Sequence, residues 1–281
     1  MDFTVFDKPG TKVKLSTLSE KPPKGLTQEG VQADFDKLGQ ELFNLQDVLW
    51  GSRQHSVLVI LQGRDTAGKD GAIKHVVGCL NPRGVHVTSF GVPTQEELEH
   101  DFLWRIHLHA PRKGEFGIFN RSHYEDVLVT RVHELVPKSL WKQRYEHIND
   151  FEELLAEHGT IILKFFLHIS RGEQKKRLLK REEDPRTAWK LSAGDWEDRD
   201  LWDDYTEAYE EAISRTSTEL APWTIVPSDA KWYRNLVIAR SIADALRPHR
   251  KAWQKHLDEE GVRKKAELEA WRKGQRKGQR K

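Results

Sequence analysis

The chain has 281 residues, 32 % of them charged, yet a formal net charge of only +2. That length supports a substantial core in one or two domains, and the near-balanced charge excludes a global field as the source of polyanion affinity, leaving only local cation clusters. Cys79 is the only cysteine, which excludes an internal disulfide; no secretory leader is expected and the apolar runs are too short to span a membrane, so the expectation is a cytoplasmic protein.

Residues 1–30 carry "KPG", "KPPKG" and "TQEG" and should form an extension of turns and short elements. Phe35, Leu38, Leu42 and Leu45 recur at helical spacing and predict a helix from Val31 to Leu49. "HSVLVILQG" is a short apolar, β-branched run ended by Gly63, the pattern of a buried strand. Ile73, Val76, Val77 and Leu80 make the next helix, which "NPRG" stops, and "VHVTSF" is the second strand. "PTQEELEHDFLWRIHL" opens with a capping box, Thr94 to Glu97, and reads as one helix. Phe116 to Phe119 form the third strand, Pro137 to His158 a helix, "GTIILKFFLHIS" the fourth strand and "APWTIVPSD" the fifth.

Strands alternating with helices predict parallel βαβ units with right-handed crossovers, a three-layer α/β domain over residues 1–250 with a central parallel five-stranded sheet. Residues 1–50 would be its N-terminal extension and helix. Between strands four and five, Ser170 and Glu173 read as a capping box that opens the basic helix "SRGEQKKRLLKREED". Pro185 ends it, the acidic helix "DWEDRDLWDDYTEAYEEAIS" follows, and residues 170–215 together read as a helical lid. Residues 251–281 are expected to form a basic helical or disordered tail ending in "KGQRKGQRK".

The stretch "GRDTAGKDG" follows the first strand and opens a helix, the context of a phosphate-binding loop. Gly63 and Gly68 would let the backbone curl around phosphate oxygens, with N–H groups and a helix N-terminus facing the anion and Lys69 as mobile cation. Asp70 stands where such loops carry Ser or Thr, and Asp65 is a second carboxylate in the loop. Asp65 is the favoured ligand for Mg2+, with Asp70 supporting the helix start. After the third strand, Arg121 offers a planar fork suited to phosphate oxygens, although taken alone its residue pattern favours a surface salt bridge with Glu125 or Asp126. In the lid, Arg177 and Arg181 are four apart on one face. The spacing suits either a phosphate clamp turned towards the loop or a solvated helix paired with the acidic helix beyond it, and at least one of the two is expected to be functional.

Three stretches, "GRDTAGKDGAIK", "FNRSHYEDV" and "KRLLKREEDPRTAWKLSAGDWEDR", together resemble the family-2 polyphosphate kinases from about Lys12 to Arg247. The resemblance implies a P-loop kinase-like core with a helical lid. It also implies Mg2+-dependent phosphoryl transfer, with Mn2+ as a substitute, between inorganic polyphosphate and nucleoside mono-, di- and triphosphates. On that basis Asp65, Lys69, Arg121 and Arg181 are the expected catalytic residues. The phosphate- and nucleotide-binding set adds Gly63, Arg64, Thr66, Ala67, Gly68, Asp70 and Gly71, then Lys74, Arg83, Asn120, Glu125 and Arg177. Many members have an acid at the position of Asn120, so its neutral amide shifts weight to Asp65, with Asn120 and Glu125 as further metal candidates. "NRSHYED" is similar to the subgroup that accepts both monophosphates and diphosphates, and Glu125 is the residue connected with acceptor choice. A homodimer or homotetramer is implied.

Two rival readings are an ATP-dependent P-loop nucleotide kinase and a non-catalytic polyanion- or nucleic-acid-binding module. Asp70 argues against the first. The ten tryptophans and basic tail raise the second, but Trp104, Trp189 and Trp202 sit at core-like spacing, so nucleic-acid binding is not expected. His100, His107 and His109 lack cysteine partners and zinc-site spacing and are assigned to helix surface or core.

Overall fold

The computed structural model describes residues 4–6 and 10–278. The strands are β1 (Thr4–Phe6), β2 (Ser56–Gln62), β3 (Val85–Ser89), β4 (Phe116–Asn120), β5 (Thr160–His168) and β6 (Trp223–Pro227). The helices of the first half are α1 (Gln28–Ser52), α2 (Lys69–Val76), α3 (Gln95–Leu98), α4 (Trp104–His107), α5 (Glu125–Val132) and α6 (Lys138–Glu157). The second half adds α7 (Arg171–Glu183), α8 (Ala193–Asp200), α9 (Trp202–Thr216), α10 (Lys231–Leu246) and α11 (Arg250–Gly278).

The strands form one sheet in the order β1-β6-β5-β2-β4-β3, and every pairing except β1 with β6 is parallel. The five expected parallel strands are therefore present, and the sheet has a sixth. β1 pairs antiparallel with β6, Val5 opposite Thr224. At three residues it is too short to show an alternating pattern, and what makes it a strand is the edge of β6 that it covers.

β2 lies mid-sheet and is buried on both faces. Val57, Val59 and Leu61 pack under α1, α2 and α10, while Leu58 and Ile60 meet Tyr145, Ile148 and Ile213 on the other face. This period-two division of one apolar run holds the three layers together. The chain builds β3 and β4 on one side of β2 and β5 and β6 on the other. The crevice at the strands' carboxyl ends is thus a switch point, where ligands gather in open α/β sheets.

Several helices differ from their sequence pattern. The single helix expected after Thr94 is two short ones: Asp101 Oδ1 accepts the Leu103 N–H at 2.9 Å, a local turn that competes with helical hydrogen bonding. The Thr94–Glu97 capping box is present in both directions. At α7, Ser170 Oγ accepts the Glu173 N–H, but Glu173 turns to Arg177 and Asp229 takes the Ser170 N–H instead, so the box is half-formed. The acidic helix is divided at Leu201 into α8 and α9. α11 runs helical to Gly278, and residues 279–281 of the expected tail lie outside the described residues. Its first turns belong to the body: Trp253 is wholly buried and donates Nε1–H to His55 Nδ1 at 2.9 Å.

Candidate active site

The turn after β2 takes a path that few side chains tolerate. Gly63 has φ +152°, Thr66 φ +62° and Gly68 φ +107°. A Cβ on Gly63 would meet the Leu167 carbonyl oxygen of β5 at 2.9 Å, and one on Gly68 would come within 1.8 Å of Arg234 Nη1. The glycines are therefore required by the packing beneath the loop as well as by open space above it. Lys69 opens α2 and folds back over the loop, donating Nζ to the Gly63 carbonyl at 2.6 Å. Burial pulls its pKa down, against the pull of Asp65. Thr66 Oγ1 is buried with no hydrogen-bond partner among the described residues.

Arg121, just past β4, is also left-handed at φ +62°, and its Nη2 donates to Asp65 Oδ1 at 2.8 Å. Burial pushes the Asp65 carboxyl up, but Lys69 and Arg121 outweigh it and leave its pKa below the ordinary value. Burial likewise opposes the Arg121 charge, and Glu125 and Asp65 overcome it and raise that pKa. Glu125, at the start of α5, has its pKa raised by burial, with Arg121 and Lys69 opposing.

Asp70 is held from two sides. Asn120 donates Nδ2–H to Oδ1 at 2.9 Å, and Lys190 of the lid donates to Oδ2 at 2.6 Å. Both carboxylate oxygens are engaged, so the acid in place of Ser or Thr joins the helix start to β4 and to the lid. Arg181 pairs with Asp195 at 2.7 Å inside the lid.

Two cavities meet at the loop. One, about 680 Å3, runs between α1, α7 and α10, with Lys180, Arg181, Lys190, Lys231 and Arg234 in its wall. The other, about 410 Å3, lies at the carboxyl ends of β3 and β4, lined by Asp65, Lys69, Asp70, Phe90, Asn120 and Arg121 among others. Thr66, Gly68, Arg181 and Lys190 line both. A basic groove and an acid-containing pocket thus share one glycine-rich turn.

Of the other expected residues, Gly71 and Arg177 line the basic groove, Arg64 lines a smaller cavity with Asp65, Arg121 and Glu125, and Lys74 and Arg83 lie apart from all three cavities. The Arg64 guanidinium turns away from the loop, lies 3.7 Å over the Trp202 ring and donates to the Trp202 carbonyl at 2.8 Å. Arg177 donates to the carbonyls of Thr66, Ala67, Ser228 and Asp229 and to Glu173. It braces the loop from behind, with its donors already spent. Ala67 is buried beneath the loop, and Gly71 faces the groove, where Arg234 leaves no room for a Cβ. Lys74 is exposed in the last turn of α2. Arg83 precedes β3, at the sheet's opposite end, beside Trp50. Among the described residues no group of three His, Cys, Asp or Glu is gathered for a metal ion, and His107 and His109 are exposed. Trp104 and Trp202 are partly buried, but Trp189 is 78 % exposed on the lid, contrary to its core-like spacing.

Residues 25–254 match the family model described as Polyphosphate kinase 2 (PPK2). The chain belongs to the polyphosphate kinase 2 family. It is 55 % identical over 209 residues to the AMP/ADP-polyphosphate phosphotransferase of Meiothermus ruber, covering 74 % of this chain and 78 % of that one. The ADP-polyphosphate phosphotransferase of Rhodopseudomonas palustris is 47 % identical over 219 residues, 74 % of this chain and 76 % of its own. The crystal structure of polyphosphate kinase 2 from Arthrobacter aurescens superposes with a TM-score of 0.81 at 44 % identity, covering 84 % of this chain and 86 % of that one. The P-loop kinase-like fold of the family is the fold seen here.

This polyphosphate kinase 2 chain carries site residues that sequence reading missed. Arg234 lies on α10, more than 160 positions past the loop it supports, and donates Nη1–H to the Ala67 carbonyl at 3.3 Å. Lys190 and Asp195 sat unremarked in a charged stretch. Both had a visible signal, since Lys190 and Asp195 fall within the third family motif, whereas Arg234 had none.

Proposed function

We propose that this enzyme moves the terminal phosphoryl group of inorganic polyphosphate onto nucleoside mono- and diphosphates, AMP to ADP and ADP to ATP. The observation that carries the reading is the pair of cavities joined at the loop. A long basic groove suits a polyanionic chain, and a compact pocket with both signs of charge suits a nucleotide. The names of the Meiothermus and Rhodopseudomonas relatives support the same donor and acceptors.

In this reading the polyphosphate end reaches the loop through the groove, and Arg181 and Lys190 face phosphates on either side of it. Lys69 leaves the Gly63 carbonyl for the transferred phosphoryl. Arg121 balances charge spread over the equatorial oxygens, and the acceptor's terminal phosphate oxygen attacks in line. That oxygen is already an anion near neutral pH, so no general base is assigned. One phosphoanhydride replaces another, and the reaction is reversible.

The donor set fits Mg2+, with Mn2+ as a substitute. Asp65 spends Oδ1 on Arg121 and keeps Oδ2 without a hydrogen bond among the described residues, and Glu125 shares with it the third, smaller cavity of about 40 Å3 that Arg121 also lines. Asn120 gives away its N–H and keeps its amide oxygen. Asp70, with both oxygens engaged, is left out of the proposed set. When bound there, the cation would neutralise phosphate charge at the reaction centre. We also propose a homodimer or homotetramer; the exposed Leu268 and Trp271 on α11 support self-association, and light scattering decides it.

The deciding experiment supplies AMP or ADP with polyphosphate alone and with ATP alone. Product with polyphosphate alone is expected for both acceptors. Transfer only from ATP would overturn the reading.

A further inference from the structure

Beneath the site lies a cluster of buried polar groups with no part in the proposed chemistry. Lys164 of β5 is fully buried, as is Glu152 of α6 at 1 % exposure, and they pair at 2.6 Å. Tyr124 donates its hydroxyl to Glu152 Oε1 at 2.8 Å and accepts from Lys164 Nζ at 2.9 Å. His123 Nε2 lies 3.2 Å from the same Glu152 oxygen, and Lys164 donates once more to the Thr216 carbonyl at 2.6 Å. Removing two charges from water costs several kcal/mol per ion in general, and well-packed apolar residues often serve stability as well or better. Core stability alone therefore does not account for the cluster.

Its place in the chain does. His123 and Tyr124 fall between Arg121 and Glu125, the two groups of this segment that face Asp65 and the loop. The turn starts from a left-handed Arg121, whose N–H donates to the Leu61 carbonyl at 3.1 Å. Such a backbone conformation persists only where its surroundings over-determine it. Ser122 is buried as well, its Oγ accepting from Gln62 Nε2 and from the Tyr124 N–H, so three consecutive side chains point down and leave Arg121 and Glu125, on either side of them, to face the loop. A purely apolar anchor would hold the same depth but permit rotation, whereas directional bonds to Glu152 and Lys164 fix the angle.

We infer that the Lys164–Glu152 pair, through His123 and Tyr124, is a positioning device for phosphoryl transfer that aims Arg121 and Glu125 at the reacting phosphates. None of the four touches substrate. The inference rests on the working roles of Arg121 and Glu125 in the proposed function, and the test separates the two.

The test compares the parent enzyme, Glu152→Leu/Lys164→Met, Arg121→Ala and the triple variant, by melting temperature and by kcat and KM. The apolar pair should stay folded, with about a tenfold or larger loss in kcat and little change in the KM for polyphosphate, because misaimed groups cost rate even far from the chemistry. Adding Arg121→Ala to it should cost much less than the same change in the parent, since a misaimed arginine has little left to lose. A folded pair variant with parent kcat, or losses that simply multiply, overturns the positioning role. Parent-like turnover of Arg121→Ala instead overturns the site assignment beneath it. Should the pair variant fail to fold, Tyr124→Phe removes only the hydroxyl joining Glu152 to Lys164. Lowered kcat at unchanged KM then supports the inference, and unchanged kcat defeats it.

Discussion

Gly68→Ala tests whether the loop's shape is set by what lies beneath it. The new methyl group would stand 1.8 Å from Arg234 Nη1 at a backbone φ of +107°. Arg234 is only 1 % exposed, and Asn235 Oδ1 accepts from both its Nε and Nη2, so it cannot swing aside freely. Yielding would cost its hydrogen bond to the Ala67 carbonyl. A left-handed non-glycine residue costs about 1–2 kcal/mol and a charged hydrogen bond roughly 1.5–3 kcal/mol, together about 3–5 kcal/mol. At about 2 °C per kcal/mol for a chain of this size, melting should fall by roughly 6–10 °C. Differential scanning calorimetry measures this, with transfer assayed below the lowered transition. Because the loop itself must shift, turnover should fall well beyond the share of unfolded enzyme. Adding Arg234→Ala removes the clash, so the double variant should be more stable than the two separate losses sum to. A Gly68→Ala enzyme that melts within about 2 °C of the parent and turns over normally would refute the reasoning.

Lys69→Ala should lower kcat by on the order of a hundredfold or more with an unchanged circular dichroism spectrum, the usual loss when a charge-stabilising contact is removed; near-normal turnover contradicts the loop assignment. Glu125→Gln should harm AMP phosphorylation more than ADP phosphorylation, seen as a change in the ratio of the two kcat/KM values, and equal losses remove its role in acceptor choice. Glu41 meets Arg247 through two hydrogen bonds of 2.7 Å that join α1 to the end of α10, and the Arg247 hydrogen bond lowers its pKa. A depressed carboxylate pKa stabilises the fold above the unfolded-state value and loses that effect as pH falls through the folded-state value. Glu41→Gln should thus cost up to about 1 kcal/mol at neutral pH, the scale of a partly exposed pair, and progressively less as the pH falls through the folded-state value, by urea unfolding.

The sequence by itself determined the elements whose signals are local. The β2 run, the glycine turn and α2 follow one another within about twenty residues, and each is written in the residues that form it: β-branched apolars, glycines where side chains are barred, an acid in the first helical turn. That segment carried the loop, Lys69 and Asp65, and the alternation of strands and helices carried the three layers. Arg121 lies just past a strand whose carboxyl terminus points to the crevice, but its role was legible only through the resemblance carried by "FNRSHYEDV", since alone it reads as a surface ion-pair partner.

Tertiary structure alone decided what the cations do. Arg177 and Arg181 share a helix face in the sequence, yet Arg177 is consumed by four backbone carbonyls while Arg181 remains beside the loop. Arg64 looked like a phosphate contact from inside the loop, and Trp202 of α9 draws its guanidinium away. Asp70 reads in the sequence as support for the helix start, and only the fold brings Asn120 and Lys190, 50 and 120 positions away, onto its two oxygens. A guanidinium or carboxylate reaches several ångströms and bonds to whatever the fold brings within range, and no periodicity in the chain records that choice. Strand β1 and the buried Lys164–Glu152 pair escaped sequence reading for the same reason: one exists because β6 has an open edge, the other because α6 crosses β5 at the level of Tyr124.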